Sequence, residues 1–546
     1  MIKARKGAVR CLLVRPPFLE GTFYNPRDMF RLLGGESAAP PLGLLIMAAY
    51  LPPAWDLRFV DGDLDPITDQ DLAWADVLMI SGKGPQIIPM AELIARAERR
   101  GVTSVVGGAG PTLQPADFVD IADYVVCGEA EPVLPQLLAD LSEGVSAGVY
   151  KALEAPDPSA DTPLPRYDLA ELGRYMFVGM SYTRGCPFSC EFCAQIEIFG
   201  RKPRSQTIEQ VVAEHQLLFD LGYRGMIDLG YDNLIGDIRK TEAVLTALSE
   251  WNRAHGHPFF YSTEATMNLA RQPRLLELMR DNDFRYVFMG IESGDPDALK
   301  QTKKGQNTAM PPEEAVRIVN SYGLIVNTGL ILGFDAERPD AAELMLEMVQ
   351  RTGVFPTLVL PLHALPNTAL ARRLAKEGRL FERFSMDSDE RTDTATTGLN
   401  FRTARPRVEV MEDLIRVLDE LYQPATHFAR TRRIIEQLET DYKFRPSLPK
   451  LLQLSGAFVR ILRMMSADRE ALGYFLRSLA MALATNPGAL QAVIGQAVMN
   501  ANYAEQSRSY IKALRAEIAE VEAVGEAAFN DHRVGGNALP SPSPTL

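Results

Sequence analysis

The chain has 546 residues, of which 46% are hydrophobic and 23% are charged, and its formal net charge is −13. These proportions are typical of a globular protein with several domains. The negative charge argues against a general nucleic-acid-binding protein, because such proteins carry a basic surface. Five cysteines, three of them close together, do not make a disulfide framework, so we expect a cytoplasmic protein with reduced thiols.

Residues 1–145 alternate short apolar runs with helical patterns and are predicted to form the first domain. The predicted strands lie at 9–14, 57–60, 77–81, 104–106 and 124–126, and the predicted helices at 42–49 and 87–100. Strands that alternate with helices indicate an α/β fold with a doubly wound parallel sheet. Ligands of such sheets bind at the carboxyl ends of the strands.

Small and polar residues follow these predicted strands. Ser81 ends the third strand, Gly107 and Gly108 follow the fourth, and Gly128 and Glu129 follow the fifth. Glycines allow a flat or bulky ligand to approach the backbone closely. These five residues are therefore candidates for contacts with a bound cofactor.

Proline-rich residues 146–172 are predicted to be a linker, and residues 173–385 are predicted to form a second α/β domain. A strand at 175–182 begins this domain, and five further strands are predicted at 225–229, 259–264, 286–290, 325–332 and 357–362. Helical patterns separate them. Active sites of α/β barrels lie at the carboxyl ends of the strands.

Three cysteines follow the first strand of this domain: Cys186, Cys190 and Cys193, with the spacing Cys-x3-Cys-x2-Cys. Thiolates suit soft metals, and three thiolates on one loop can hold three irons of a cubane cluster while the fourth iron stays open. The alternative is a structural zinc site, which needs four ligands. The nearest histidine, His215, lies 22 residues beyond Cys193 in a helical pattern, so we favour the cluster.

Polar residues also follow the later strands of the second domain. Asp232 comes after the second strand, Glu264 closes the third, and Glu292 and Ser293 close the fourth. Each of these residues is also compatible with an ordinary helix cap or loop position. Taken together with the cysteine loop, they favour a binding site at this end of the barrel.

Residues 386–532 are predicted to form a helical C-terminal domain, and residues 533–546 a disordered tail. The predicted helices are at 407–422, 426–442, 448–465, 468–484, 488–500 and 503–528. The apolar stretch 451–465 contains Arg460 and Arg463 and is compatible with a core helix or with a helix on a membrane surface. The sequence contains no uninterrupted run of 18 apolar residues, so no membrane-spanning helix is expected.

The cysteine spacing, with the aromatic Phe192 directly before the last cysteine, resembles the radical S-adenosylmethionine (SAM) superfamily. The resemblance implies a partial (β/α)6 barrel and a [4Fe–4S] cluster on Cys186, Cys190 and Cys193. In that superfamily the open iron chelates SAM, and reductive cleavage gives a 5′-deoxyadenosyl radical. The resemblance assigns SAM-binding roles to four acidic and hydroxyl residues, Asp232, Glu264, Glu292 and Ser293, with Phe192 beside them.

The first domain resembles the cobalamin-binding domain that precedes many radical SAM enzymes. The similar segments are RPP at 15–17, PPLGLL at 40–45, GGAGPT at 107–112 and CGEAE at 127–131. The resemblance implies cobalamin contacts at Ser81, Gly107, Gly108, Gly128 and Glu129. The first 150 residues contain no histidine, so this domain should supply no histidine ligand to cobalt.

Further segments, including FMGIESGDPDAL and KKGQNT, resemble the subgroup that contains the hopanoid C-2 methylase. This resemblance implies methyl transfer from methylcobalamin to an unactivated carbon of an apolar polycyclic or isoprenoid lipid. The alternatives are a radical cyclase, rearrangement or oxidation enzyme acting on a tetrapyrrole or other natural product, and a non-catalytic iron–sulfur or corrinoid-binding protein. The implied partners are a small-molecule substrate and a low-potential reductant such as ferredoxin or flavodoxin. Peripheral contact with the inner face of the membrane is compatible with the apolar stretch 451–465.

Overall fold

The computed structural model describes residues 9–18, 26–145, 147–152, 154–160, 162–230, 232–381 and 399–535. The strands in this part of the chain are β1 (Arg10–Arg15), β2 (Asp56–Asp61), β3 (Val77–Ser81), β4 (Thr103–Gly107), β5 (Tyr124–Cys127), β6 (Gly148–Lys151), β7 (Phe177–Met180), β8 (Thr183–Arg184), β9 (Arg204–Ser205), β10 (Gly225–Leu229), β11 (Phe259–Ala265), β12 (Phe284–Glu292), β13 (Ile325–Leu332) and β14 (Phe355–Pro361).

The helices of the same residues fall into three groups along the chain. Those near the first sheet are α1 (Arg27–Leu33), α2 (Leu42–Tyr50), α3 (Asp69–Trp74), α4 (Ile87–Glu98), α5 (Ala109–Leu113) and α6 (Leu134–Glu143). Those between the strands of the second sheet and after it are α7 (Gln195–Phe199), α8 (Ile208–Asp220), α9 (Ile238–Ala254), α10 (Pro273–Asp281), α11 (Pro296–Gln301), α12 (Pro312–Asn320), α13 (Ala341–Thr352) and α14 (Ala369–Lys376). The C-terminal group is α15 (Arg407–Leu421), α16 (Pro424–Gln437), α17 (Leu448–Met465), α18 (Arg469–Thr485), α19 (Leu490–Val524) and α20 (Glu526–Gly535).

The first sheet has the strand order β2-β1-β3-β4-β5-β6, and neighbouring strands are parallel. Its central strands are apolar on both faces, because helices cover both sides of the sheet. The chain moves outward from β1 to β2 and then crosses back to β3. The carboxyl ends of β1 and β3 therefore border the crevice in which doubly wound sheets bind ligands.

The second sheet has the order β14-β13-β12-β11-β10-β7 and is also parallel. Along its strands, alternate residues such as Ile227, Tyr261 and Val287 are buried against the surrounding helices. The residues between them face the inside of the barrel. Six parallel strands with intervening helices make the partial (β/α)6 barrel, and the predicted fold class is confirmed.

The C-terminal region is helical, as predicted, but one predicted break is wrong. The sequence suggested two helices at 488–500 and 503–528, whereas the structure has the single 35-residue helix α19. Neither proline nor glycine lies between residues 496 and 524, so nothing in the backbone interrupts the hydrogen bonding. The break comes at Gly525, which has φ +84° and separates α19 from α20.

Part of the predicted linker is also a strand. β6 lies within residues 146–172 and pairs in parallel with β5, because Val149 and Tyr150 continue the sheet before the prolines begin. The domain boundaries at 145, 172, 385 and 532 stay predictions. The predicted tail at 533–546 lies outside the described residues beyond Gly535. No helix of the described ranges is long and apolar enough to cross a membrane.

A buried ion cluster around Glu129 joins the first sheet to the two short strands that flank the cysteine loop. Arg184 Nη1 donates to Glu129 Oε2 at 2.6 Å, and Arg204 Nη2 donates to Glu129 Oε1 at 2.6 Å. Arg184 also pairs with Glu131 at 2.6 Å. Glu129 follows β5, whereas the two arginines belong to the antiparallel pair β8–β9 that flanks the cysteine loop. The Glu129 side chain is only 4% exposed, so its charge depends on these partners.

Replacing Glu129 with glutamine is expected to destabilise the protein by about 3 kcal/mol, because Arg204 loses its paired carboxylate and Arg184 keeps only Glu131. The matched control is Glu36→Gln. That carboxylate also pairs with an arginine, Arg174 at 2.9 Å, but is 48% exposed, so we expect a loss within about 1 kcal/mol. Differential scanning calorimetry compares the two unfolding temperatures. Equal shifts would show that the buried cluster does not hold the first sheet and the strands β8 and β9 together.

Candidate active site

The cysteine loop leaves β8 at the carboxyl end of the barrel and returns through β9. Gly185 has φ +87°, and a Cβ atom there would lie 2.7 Å from the Lys202 carbonyl oxygen and 3.0 Å from that of Gly200. Only glycine fits this approach. The Cys186 amide donates to the Gly200 carbonyl at 3.3 Å, so the loop closes on itself around the three cysteines.

The three thiols are sheltered from solvent to different degrees. Cys190 is buried, and Cys186 and Cys193 are half-buried. Burial raises the pKa of Cys186 and raises that of Cys193 to about 11. A coordinated metal deprotonates such thiols outright. In the described part of the chain no three histidine, cysteine or acidic side chains converge on one metal ion. A cubane instead offers each thiolate its own iron, which fits three thiols on one short loop.

Three polar side chains from outside the cysteine motif surround it. The Asn233 amide donates to Cys186 Sγ at 3.9 Å, and the Gln306 amide donates to Cys190 Sγ at 3.6 Å. The Lys304 ammonium lies 5.7 Å from the centre of the Phe192 ring. Phe192 itself packs against Phe334, with 5.9 Å between the ring centres. The predicted aromatic residue is thus part of the wall of the site.

Asp232 lies directly beside the cysteine loop. Its Oδ2 accepts a hydrogen bond from the Gly185 amide at 2.6 Å, whereas its buried Oδ1 has no partner within the protein. Burial raises the pKa of Asp232 to about 6, although Arg184 and Arg204 lower it. An orphaned carboxylate oxygen at this position fits an ammonium group of a ligand.

Two further acidic side chains project into the barrel from neighbouring strands. Glu264 is the penultimate residue of β11, and burial together with the charges of Asp228 and Asp232 raises its pKa well above the usual range. Asp228, which the sequence places within a strand, accepts a hydrogen bond from Ser262 at 2.6 Å. Burial raises the pKa of Asp228 to about 6. Three carboxyl groups therefore share one buried space and lack sufficient positive charge.

Lys83 approaches this space from the first sheet. It follows β3, and the residue is exposed at the carboxyl end of the first sheet. Desolvation lowers the pKa of Lys83, while the charge of Glu264 raises it. The crevice of the first sheet and the interior of the barrel therefore face each other.

Glu292 and Ser293 have partners within the protein. Glu292 has φ +68° beside a register shift between β12 and β13, and its carboxylate accepts a hydrogen bond from Lys304. Ser293 Oγ accepts from the Asp295 amide at 3.0 Å, close to the start of α11. The hydroxyl of Ser293 is thus used in a turn, and Glu292 anchors Lys304.

The predicted cobalamin contacts lie at the carboxyl ends of β3, β4 and β5. Gly108 has φ +95°, and a Cβ there would lie 2.6 Å from Ser81 Oγ; Gly107 accepts from the Gly82 amide at 3.3 Å. Gly128 has φ +81°, and a Cβ there would meet nothing within 4 Å. Gly108 therefore packs directly against the end of β3, whereas the space beside Gly128 is open, and together these residues form a cradle that a flat ligand can approach at the carboxyl end of the sheet. Both oxygens of Glu129 accept hydrogen bonds from Arg184 and Arg204, and its contact with cobalamin stays a prediction.

Sequence reasoning missed the exposed Lys83 and three largely buried basic residues of the site, Arg184, Arg204 and Lys304. Lysine and arginine are usually exposed, so a buried one gives no pattern of its own. Arg184 and Arg204 do flank the cysteine loop, and that position was the available signal.

Three family models match the chain. The B12 binding domain covers residues 35–138, the radical SAM superfamily covers residues 180–349, and a domain of unknown function covers residues 368–516. The first two matches coincide with the cradle of the first sheet and with the cysteine loop and barrel.

Known proteins agree with these matches. An uncharacterized methyltransferase of Synechocystis sp. is 35% identical over 83% of this chain and 84% of its own length. The hopanoid C-2 methylase of Rhodopseudomonas palustris is 36% identical over 69% of this chain and 73% of its own length. Among solved structures, the cobalamin-dependent SAM radical enzyme OxsB with aqua-cobalamin bound has a TM-score of 0.59 at 14% identity, covering 94% of this chain and 81% of that one. This last likeness concerns the fold alone.

The relatives and the family models together settle the class and the cofactors, which are a [4Fe–4S] cluster, SAM and cobalamin. The chain belongs to the cobalamin-binding radical SAM family, in the subgroup that contains the hopanoid C-2 methylase, and it is a radical SAM methyltransferase.

Proposed function

We propose that this enzyme methylates an unactivated carbon of an apolar polycyclic or isoprenoid lipid. The observation that supports this substrate class is the similarity to the hopanoid C-2 methylase, at 36% identity over 73% of that enzyme. The barrel interior is compatible with it. Alternation along the strands directs half-buried apolar side chains inward, among them Phe288, Leu358 and Leu360. Apolar walls with a few polar groups are typical of pockets for small molecules.

We assign the protein's part in the reaction as follows. Cys186, Cys190 and Cys193 hold the cluster, Asp232 and Glu264 bind the cationic end of SAM, and the glycine cradle of the first sheet holds the corrinoid. When bound, the cluster, SAM and the corrinoid supply the electron, the radical and the methyl group. The side chains position the reactants and exclude water, and none is required as an acid or base. A low-potential reductant such as ferredoxin or flavodoxin delivers the electron.

The first test is an anaerobic assay of the reconstituted protein with cobalamin, SAM, reductant and a candidate lipid. We expect 5′-deoxyadenosine, S-adenosylhomocysteine and a lipid product heavier by one CH2. Cys186→Ala should abolish 5′-deoxyadenosine, because the cluster loses a ligand. Cys11→Ala is the control, since this buried thiol lies in β1 and away from the loop. Deoxyadenosine with an altered lipid or tetrapyrrole of unchanged carbon count would instead indicate a cyclase or rearrangement enzyme.

The acidic barrel interior predicts that SAM binding releases protons. Asp228 and Asp232 have pKa values of about 6, and that of Glu264 is raised further above its usual range. A bound cation favours the ionised carboxylates, so at pH 6.5 we expect release of up to about one proton per SAM. The other charges that face these groups are those of Lys83, Glu129, Arg184 and Arg204, which are fixed parts of the protein.

Calorimetric titrations of the cluster-loaded protein in two buffers of different ionisation enthalpy measure this proton release. Glu264→Gln should reduce it. The control is Glu214→Gln, because Glu214 is also buried with a raised pKa but bonds to Tyr167 on the outer side of the barrel. If the number of protons released is unchanged in Glu264→Gln, Glu264 does not bind SAM.

We also propose that α17 and α18 contact a membrane surface, from which an apolar substrate would be taken. Seven of the 13 exposed large apolar side chains of the described residues lie on these two helices, including Leu448 at 77%, Leu452 at 75% and Leu483 at 61%. Residues 448–485 carry five basic and two acidic residues in a chain of net charge −13. Apolar side chains with basic neighbours suit an anionic lipid surface.

Vesicle flotation tests this contact. We expect binding to vesicles of phosphatidylcholine with phosphatidylglycerol, and weaker binding to phosphatidylcholine alone. Replacing Leu448 and Leu452 with serine should lower binding more than tenfold, because each buried leucine contributes about 2 kcal/mol. The control replaces Val149 and Leu221 with serine, because both are exposed but lie outside α17 and α18. Loss of a dimer in the Leu448/Leu452 variant, without any vesicle binding by the wild type, would identify a second copy of the chain as the partner.

A further inference from the structure

Donor groups from two separate loops converge on the sulfurs of the cysteine motif. Asn233, on the loop after β10, donates to Cys186 Sγ at 3.9 Å. Gln306, on the loop after α11, donates to Cys190 Sγ at 3.6 Å. Neither residue belongs to the cysteine motif, and neither is needed to bind iron.

Lys304 adds a buried positive charge to the same place. Lys304 is 7% exposed, and its ammonium pairs with Glu292. The ammonium also lies 5.7 Å from the centre of the ring of Phe192, the residue directly before Cys193. Burial opposes a charged lysine, but the charges of Glu292, Cys190 and Cys193 outweigh it and raise the pKa of Lys304. The lysine therefore stays protonated beside two of the three thiolates.

These donors are held in place by the surrounding structure. The Glu191 amide donates to the Thr302 carbonyl at 3.1 Å, which ties the cysteine loop to the loop of Lys304 and Gln306. Asn233 is 1% exposed, and its Oδ1 accepts from the Thr266 amide at 3.4 Å, so its amide nitrogen points away toward Cys186. Donors fixed in this way need little rearrangement when the charge on the sulfurs changes.

Reduction adds one negative charge to an iron–sulfur cluster, and that charge spreads onto its sulfurs. Hydrogen bonds to the sulfurs and nearby positive charges stabilise the reduced form more than the oxidised form. In a buried site, such interactions are weakly screened. We propose that Asn233, Lys304 and Gln306 are positioning residues that raise the reduction potential of the cluster on Cys186, Cys190 and Cys193, and so bring it within reach of its reductant.

The experiment is a potentiometric titration of the full-length reconstituted protein without SAM or substrate, followed by electron paramagnetic resonance of the reduced cluster. In Lys304→Met we expect the ratio of reduced to oxidised cluster at a fixed potential to fall about tenfold. For a one-electron couple, this corresponds to a midpoint potential about 59 mV more negative. Gln306→Met should shift the equilibrium in the same direction by about threefold, because a neutral donor is weaker than a charge. Lys304→Arg should retain most of the wild-type potential.

The matched control is Lys303→Met, because Lys303 is the neighbouring lysine and is exposed. Its cluster should titrate like that of the wild type. Iron and sulfide content is measured for each variant, and if Lys304→Met fails to hold a cluster, Gln306→Met decides. Wild-type midpoints in both Gln306→Met and a fully loaded Lys304→Met would overturn the proposal. Since no substrate is present, this result is independent of which lipid the enzyme methylates.

Discussion

The pairing of Glu129 with Arg184 and Arg204 is the interaction on which the arrangement of the active site depends. Parallel sheets carry their functional loops at the carboxyl ends of their strands. Two such sheets can therefore contribute to one site only when these ends lie close together. Here one buried carboxylate at the end of β5 is held by two arginines that flank the cysteine loop. The glycine cradle of the first sheet and the cysteine loop are thereby held next to each other, beside the space inside the barrel.

Charge balance within that space follows from the same geometry. Asp228, Asp232 and Glu264 lie close together, and burial raises the pKa of each carboxyl group. The buried cations Arg184, Arg204 and Lys304 are each paired with a carboxylate of the protein. Asp232 is affected by both sets of charges, because Arg184 and Arg204 lower its pKa while Glu129 raises it.

The sequence was most informative where function is encoded locally. The spacing of Cys186, Cys190 and Cys193 and the glycines after the strands of the first sheet all lie within short segments, and alternating apolar runs predicted both sheets. The pairing of Glu129 with Arg204 spans 75 positions, and that of Glu191 with Arg373 spans 182. No local pattern encodes such partners. The same holds for Lys304, whose burial results from the packing of loops that are distant along the chain.

The long helix α19 has a consequence for exchanging parts between relatives. At 1.5 Å per residue its 35 residues extend about 52 Å. Along this length it touches α1 near the first sheet, β14 of the barrel, and the C-terminal helices α15, α16 and α18. A chimera that swaps the C-terminal region to change substrate choice would therefore also replace surfaces that α1 and β14 pack against. Successful grafts in this subgroup should carry those matching surfaces together with the helix.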